Sequence, residues 1–403
     1  MKKSLFLFFL LGILIFSGGC QPLGGQPEST EAIPPTQLLT GWQEIDGKSY
    51  YYLEDGTPIT GWMDLGGALS YFHEDGALAT GWTQIGENRY YFDENGAMAT
   101  GKLVLDGITY LLSEQGTPLA GWQELDGQPC YCSPSGVVAQ GFTEIDGKRY
   151  YFHPDGSPAT QPLEVDGKSY LPGEDGVLYT GWLSSNGYDY YYQEDGSMAV
   201  GKVIIDGQTR YFSPKGIHVY LVNPWNLLPP DYDPQLVKLR HFEMSVQCAD
   251  ALDRMLTDCK NAGTIPAICS AYRTQEDQEF LYNRKVNNIM ATGHTMGEAL
   301  MLAAKEVAVP GTSEHQLGLA IDIVDDSYWV LDEHQAETPA QKWLMEHCWE
   351  YGFILRYPVG STEITGIVYE PWHYRYVGVE MAMELRDLGI TLEEYLGATD
   401  HLK

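Results

Sequence analysis

The sequence predicts a two-part molecule: an all-β solenoid of 20-residue β-hairpin repeats followed by an α+β domain. Three observations carry this. From Thr40 to Val219 the chain divides into nine units of 20 residues without a gap. A glycine keeps the same phase in every unit, from Gly56 to Gly216. After Val219 the period stops, and helix-like and strand-like segments follow in no regular alternation.

The first unit, TGWQEIDGKSYYYLEDG, shows how a repeat is built. Trp42 to Ile45 reads as a short strand, Asp46-Gly47 as a tight turn and Lys48 to Leu53 as the return strand. Asp-Gly suits a type I′ turn, which needs positive φ at both central residues. Gly56 then turns the chain toward the next hairpin. One hairpin cannot bury its aromatic side chains alone. Stacked neighbours can, so an elongated array is expected.

Upstream, MKKSLFLFFLLGILIFSGGC combines Lys2 and Lys3 with a short apolar run and small residues before Cys20. This is the pattern of a secretion signal, its apolar core short for a membrane span. The ending resembles a bacterial lipobox, with Ser17 where such boxes usually carry Leu. Residues 1–20 are therefore expected as a lipoprotein signal, with Cys20 lipidated; ordinary secretion is the alternative. Residues 21–39, rich in Pro, Gly and Thr, read as a flexible linker. This would place the protein at a bacterial cell envelope, with the membrane as partner through the anchor.

The charge balance is 24 basic against 55 acidic residues, a net of −31. Nucleic acid is thereby argued against as a partner, since phosphate binding needs basic patches. Metal ions and cationic ligands are compatible with it. Besides Cys20, six cysteines are spread over the chain without a C-x-x-C pair, which argues against a thiolate zinc site. They are expected as buried free thiols, with Cys259 and Cys269 the pair that a bridge could join.

In the C-terminal part, 234–262, 276–290, 338–351 and 379–396 read as helices. Residues 266–272, 319–324 and 367–377 read as strands or extended segments. Three polar clusters lie in apolar surroundings: SAYRTQEDQ (270–278), SEHQLGLAID (313–322) and YEPWHYRYVG (369–378). Two histidines with carboxylates are what a catalytic zinc needs, three protein ligands leaving one position open. There is no H-E-x-x-H, no phosphate loop and no G-x-S-x-G elbow. Taken singly, each cluster is weak evidence.

Together they resemble one family. The pattern SxHxxGxAxD is met by Ser313, His315, Gly318, Ala320 and Asp322, and ExWH by Glu370, Trp372 and His373. These resemble the motifs of VanY-type D-alanyl-D-alanine carboxypeptidases, and the likeness extends over residues 220–403. The resemblance implies Zn²⁺ held by His315, Asp322 and His373, with Glu370 as general base and then acid. It implies Arg273 as oxyanion stabiliser, and Gln278 and Ser313 as further contacts to the terminal D-amino acid. One departure is Ala271, where the family usually has Gly.

The array at 40–219 resembles the cell-wall-binding or choline-binding repeats of Gram-positive surface proteins. In those, aromatic cages hold a quaternary ammonium by cation–π attraction. Here the tryptophan of the GW pair is kept as Trp42, Trp62, Trp82, Trp122 and Trp182, and replaced by Lys102, Phe142, Pro162 and Lys202. Only Trp42, Trp62 and Trp82 are consecutive, making them the candidate wall-ligand residues and allowing two cages. The second tryptophan of such repeats is missing: Ser49, Leu69, Arg89, Thr109, Pro129, Arg149, Ser169, Asp189 and Thr209 stand there. This favours a cell-wall glycan or teichoic-type polymer over choline, with most tyrosines serving as packing. The expected function is a zinc carboxypeptidase on peptidoglycan stem peptides. L,D-carboxypeptidase action on tetrapeptide stems and a non-catalytic wall adhesin are the alternatives.

Overall fold

The computed structural model describes residues 38–230 and 232–402. Residues 1–37, where a signal and Cys20 lipidation are expected, lie outside the described residues. The chain divides into two compact units, one of residues up to 119 with 134–136, the other of 120–133 and 137 onward.

Among the described residues, nine antiparallel hairpins follow one another, from Gly41–Ile45 paired with Lys48–Tyr52 to Gly201–Ile205 paired with Gln208–Phe212. The turns are as their sequence requires: Asp46 has φ 53° and Gly47 φ 73°, both in the region a type I′ turn demands. In the first unit the buried stack is built by Phe72, Phe92 and Leu112, one per repeat. Successive repeats are joined by backbone bonds such as Leu78 N–H to Ser49 C=O and Met98 N–H to Leu69 C=O, both 2.8 Å. The phased glycines have two reasons to be glycine. Gly96 has φ +80°, and a Cβ there would lie 2.6 Å from Leu78 of the preceding repeat.

In the second unit Phe152 and Phe212 are fully buried in the same way. The last repeat also packs on the C-terminal domain. Tyr211 and Val219 share one apolar cluster with Leu221, Met381, Leu385, Leu392 and Leu396. Lys215 pairs with Glu380 and Glu384, and Lys202 with Asp400 at 2.9 Å. Tyr211 Oη donates to Asn226 at 2.7 Å.

The C-terminal domain is α+β. Its sheet has four antiparallel strands in the order Pro266–Ser270, Ala320–Asp325, His373–Tyr376, Phe353–Leu355. The helices Val246–Asn261 and Pro339–His347 cover one face, and Leu252, Met255, Leu256, Ile321, Ile323, Leu344, Phe353 and Tyr374 fill the core between. Strand alternation sends Ile321 and Ile323 into this core and Asp322 to the opposite face.

Several element boundaries differ from the sequence expectation. Residues 236–245 are a hairpin, Leu236–Leu239 with Phe242–Ser245, and not helix. Arg240 and His241 take positive φ there, and Ser245 caps the helix that follows. The segment expected as helix to 396 ends at Leu388, because Gly389 takes a left-handed conformation, and restarts as Leu392–Tyr395. Residues 367–372 are irregular and only His373–Tyr376 is strand. The helix Met296–Glu306, capped by Thr295 and Glu298, was not anticipated. Cys259 and Cys269 are both free, so no bridge joins them, and Cys259 Sγ instead lies 2.9 Å from Thr264 Oγ1.

Candidate active site

A single row across the sheet assembles the polar cluster. Ser270 is the register partner of Asp322, and Asp322 is the partner of His373. The strand carrying Ser270 has a register irregularity just before it, between Ile268 and Ser270. His315 arrives from the 3₁₀ turn Glu314–Leu317, which ends at Gly318 with φ 70°. One potential ligand atom each of His315, Asp322 and His373 lies within 4.8 Å of the other two, and all three residues are buried.

The distances define the arrangement. His315 Nε2 is 3.1 Å from Asp322 Oδ2, and His373 Nδ1 is 3.0 Å from Asp322 Oδ1. Glu370 Oε2 lies 3.7 Å from His373 Nδ1. Arg273 Nη2 donates to Asp322 Oδ2 at 2.8 Å. His315 Nδ1 is 2.7 Å from the Ala271 carbonyl, which can only accept, so Nδ1 carries the proton and Nε2 offers its lone pair to the cluster.

These residues fit a divalent cation. Two imidazole nitrogens and a carboxylate converge from three chain segments, a donor set that suits zinc. Behind them, His373 Nε2 and Glu314 Oε2 are both buried, have no hydrogen-bond partner and face each other at 3.6 Å. A proton on His373 Nε2 directed at Glu314 leaves Nδ1 as the electron-pair donor.

The two cleft carboxyls are pushed apart electrostatically. Burial pushes the Glu370 carboxyl up to about 8, against the pull of His373. Burial would raise Asp322 too, but His315, His373 and Arg273 hold it well below the usual carboxylate range. Burial and the Arg273 charge bring His315 down to about 4. One carboxyl is thus disposed to hold a proton and the other to stay ionised, the division that acid–base chemistry uses.

The remaining sequence-singled residues fall around this cluster. Arg273 is also held by Ser270 Oγ at 2.9 Å and Gln278 Oε1 at 3.3 Å. Gln278 is fully buried, donates to the Ala308 carbonyl at 2.7 Å and lies outside the cavity wall. Its contacts are those of a residue that positions Arg273. Ser313 is buried and lines the cavity with Arg273, His315, Asp322, Glu370 and His373.

Sequence reasoning missed a buried ion network. Arg356 donates through Nε to Glu314 at 2.8 Å and through both Nη atoms to Glu393 at 2.9 and 2.6 Å. Arg375 Nη1 lies 3.0 Å from Glu314 Oε1. Burial alone would raise the Glu314 carboxyl, but Arg356 and Arg375 hold it far below its ordinary value. The one sequence signal was an arginine set inside each of two apolar runs, FILRYP and WHYRYV.

In the first unit, Trp42 and Trp62 are half exposed. Trp42 packs edge-on against Tyr51 at 5.3 Å, and Trp62 against Tyr71 at 5.2 Å and Tyr90 at 5.0 Å. Trp82 differs, because the Arg89 guanidinium lies over its ring at 4.4 Å. In the second unit Arg149 covers Phe142 in the same way at 4.8 Å. An internal cation takes the ring face that an external one would need. The ring neighbours of Trp42, Trp62, Trp82 and Trp122 are tyrosines and phenylalanines of their own and the next hairpin. Consecutive tryptophans are therefore not required, and Trp122, with Tyr131 at 5.5 Å and Tyr150 at 5.5 Å, has the same surroundings.

Residues 241–379 match the family described as VanY, D-alanyl-D-alanine carboxypeptidase, and residues 39–80, 79–116 and 179–216 match a choline-binding repeat family. A D-alanyl-D-alanine carboxypeptidase of Enterococcus faecalis is 42% identical over 177 residues, covering 44% of this chain and 64% of the relative. One of Enterococcus faecium is 37% identical over 161 residues, covering 40% and 45%. The chain thus spans less than two thirds of the length of these relatives. Among solved structures, a vancomycin-resistance D,D-pentapeptidase in complex with Zn(II) is 41% identical, covering 44% of this chain and 97% of that one, with a TM-score of 0.41.

Proposed function

We propose that this chain, whose residues 241–379 belong to the VanY family of D-alanyl-D-alanine carboxypeptidases, removes the terminal D-alanine from peptidoglycan stem peptides. The observation that carries the reading is the convergence of buried His315, Asp322, Glu370 and His373 in one cavity that also holds Arg273. The division into repeats at 40–219 and peptidase at 220–403 belongs to the same proposal.

His315, Asp322 and His373 would hold a zinc ion. When bound, zinc polarises the scissile carbonyl and lowers the pKa of water. With the charge of that ion beside it favouring its ionised form, Glu370 takes the proton from the attacking water and passes it to the departing amine as the C–N bond breaks. Arg273, fixed by Ser270 and Gln278, presents a cation to the oxygen that gains negative charge. Ser313 contributes to the wall that meets the terminal residue.

The repeats hold this cleft at the wall. Trp42 and Trp62, open and flanked by tyrosines, suit the apolar face of a sugar or a cationic group of a wall polymer. Secretion and a lipid anchor at Cys20 complete the proposal, supported by the sequence pattern alone. Replacing Cys20 with Ser should move the protein from the membrane fraction to the medium. An unchanged distribution on cell fractionation would remove the anchor.

The test of the activity uses full-length protein with pentapeptide and tetrapeptide stems, product mass being the readout. The pentapeptide should lose one D-alanine, a chelator should stop this, and added Zn²⁺ should restore it. Release from the tetrapeptide alone would make the protein an L,D-carboxypeptidase. Release from neither, with zinc bound, would leave a wall-binding protein.

A further inference from the structure

We propose that the cleft continues past the catalytic cluster into a carboxylate-binding subsite centred on Arg284. On this proposal the preferred stem carries a free carboxylate on one of the two residues preceding its terminal D-alanine pair. The proposal rests on the carboxypeptidase reading above. The cavity, of about 320 Å³, is lined by the cluster at one side and by Leu281, Arg284, Lys285 and Asn288 at another. Those four are spaced i, i+3, i+4 and i+7, so they form one stripe of the helix Gln275–Met290. The helix is firmly set. A capping box of Thr274 and Asp277 starts it, and Tyr282 and Val286 pack against Ala299 and Ala303 of the following helix.

Charge on this wall is unevenly matched. Lys285 is paired with Glu306. Arg284 has no carboxylate partner among the described residues, and its guanidinium lies 5.7 Å over the Phe280 ring. In a chain of 55 acidic and 24 basic residues, acidic partners are plentiful, so an arginine left without one on a cleft wall has its charge available to a ligand. A guanidinium matches a carboxylate with two parallel hydrogen bonds, and the neighbouring Asn288 amide adds a neutral donor. A peptide with its last residue at the cluster runs along this cavity with its preceding residues. Peptidoglycan stems offer carboxylates there from two sources, the α-carboxylate of γ-linked D-glutamate and that of diaminopimelate.

The experiment uses zinc-loaded full-length protein and three pentapeptides. One has both carboxylates free, one has the glutamate α-amide, and one has lysine in place of diaminopimelate. Kd by calorimetry and D-alanine release are measured on each. One of the two altered peptides should bind about tenfold more weakly, and its identity names the carboxylate. Arg284→Gln should erase that difference, and Arg284→Lys should keep part of it. Equal affinities for all three peptides would overturn the subsite, as would a preference that survives Arg284→Gln. A preference in binding without D-alanine release would sink the reaction and leave the subsite standing. Release with equal affinities would sink the subsite alone.

Discussion

Glu370→Gln should lower D-alanine release by about 10²- to 10⁴-fold, the usual range for a lost general acid–base group, while the protein keeps its zinc. The side chain is buried, and its carboxylate sits 3.7 Å from His373 Nδ1 without belonging to the three-residue cluster. Glutamine has the same shape and cannot accept the proton. It also has no charged form to desolvate, the cost that raises the Glu370 carboxyl to about 8, so folding should not suffer. Zinc content by mass spectrometry and kcat on the pentapeptide provide the check. Turnover within threefold of the parent protein would remove Glu370 from the mechanism. Loss of zinc would instead make it part of the metal site.

Arg356→Met should destabilise the C-terminal domain by about 3–5 kcal/mol, the cost of removing one partner from a buried ion pair. Arg356 is the shared partner of Glu314 and Glu393, and all three side chains are fully excluded from solvent. Without it, among the described residues the Glu393 side chain keeps the Asn223 amide at 3.0 Å, and Glu314 keeps Arg375 and the His373 Nε2 edge. The loss should also reach the metal cluster, because Glu314 stands behind His373. Zinc affinity should fall by about 10- to 100-fold, as for other groups that orient a ligand from behind. Urea unfolding and zinc competition titration measure the two effects. Pairing Arg356→Met with Glu393→Gln should recover part of the stability, because one stranded charge is removed. No recovery would mean that packing around Arg356, and not its charge, holds the region.

How much was legible in the sequence varied with the range of the interactions involved. The hairpins were legible because each is decided by a few adjacent residues: Asp46 and Gly47 adopt positive φ, and Trp42 falls opposite Tyr51. The hairpin at 236–245 was not, because Leu239 and Val246 fit a helical spacing and only the turn at Arg240-His241 separates the two outcomes. The cluster residues were legible as motifs, since His315 and Asp322 lie seven apart and Glu370 and His373 three apart. Sequence could not tell that Gln278 faces Arg273 and Ala308 and not the cavity, because that depends on how the helix Gln275–Met290 is rotated against its neighbours.

By itself, then, the sequence determined the repeat period, the turn chemistry, the site at which the period stops and the identity of the polar residues able to hold a metal. These are set by local backbone preferences and by side-chain chemistry, which need no knowledge of distant contacts. Only the tertiary structure decided that Glu314, Arg356, Arg375 and Glu393 meet behind His373, residues up to 79 positions apart in the chain. It alone decided that Arg89 covers Trp82 while Trp42 and Trp62 stay open. Buried charge pairing and ring coverage depend on which surfaces come together in space, and a one-dimensional spacing does not encode that directly.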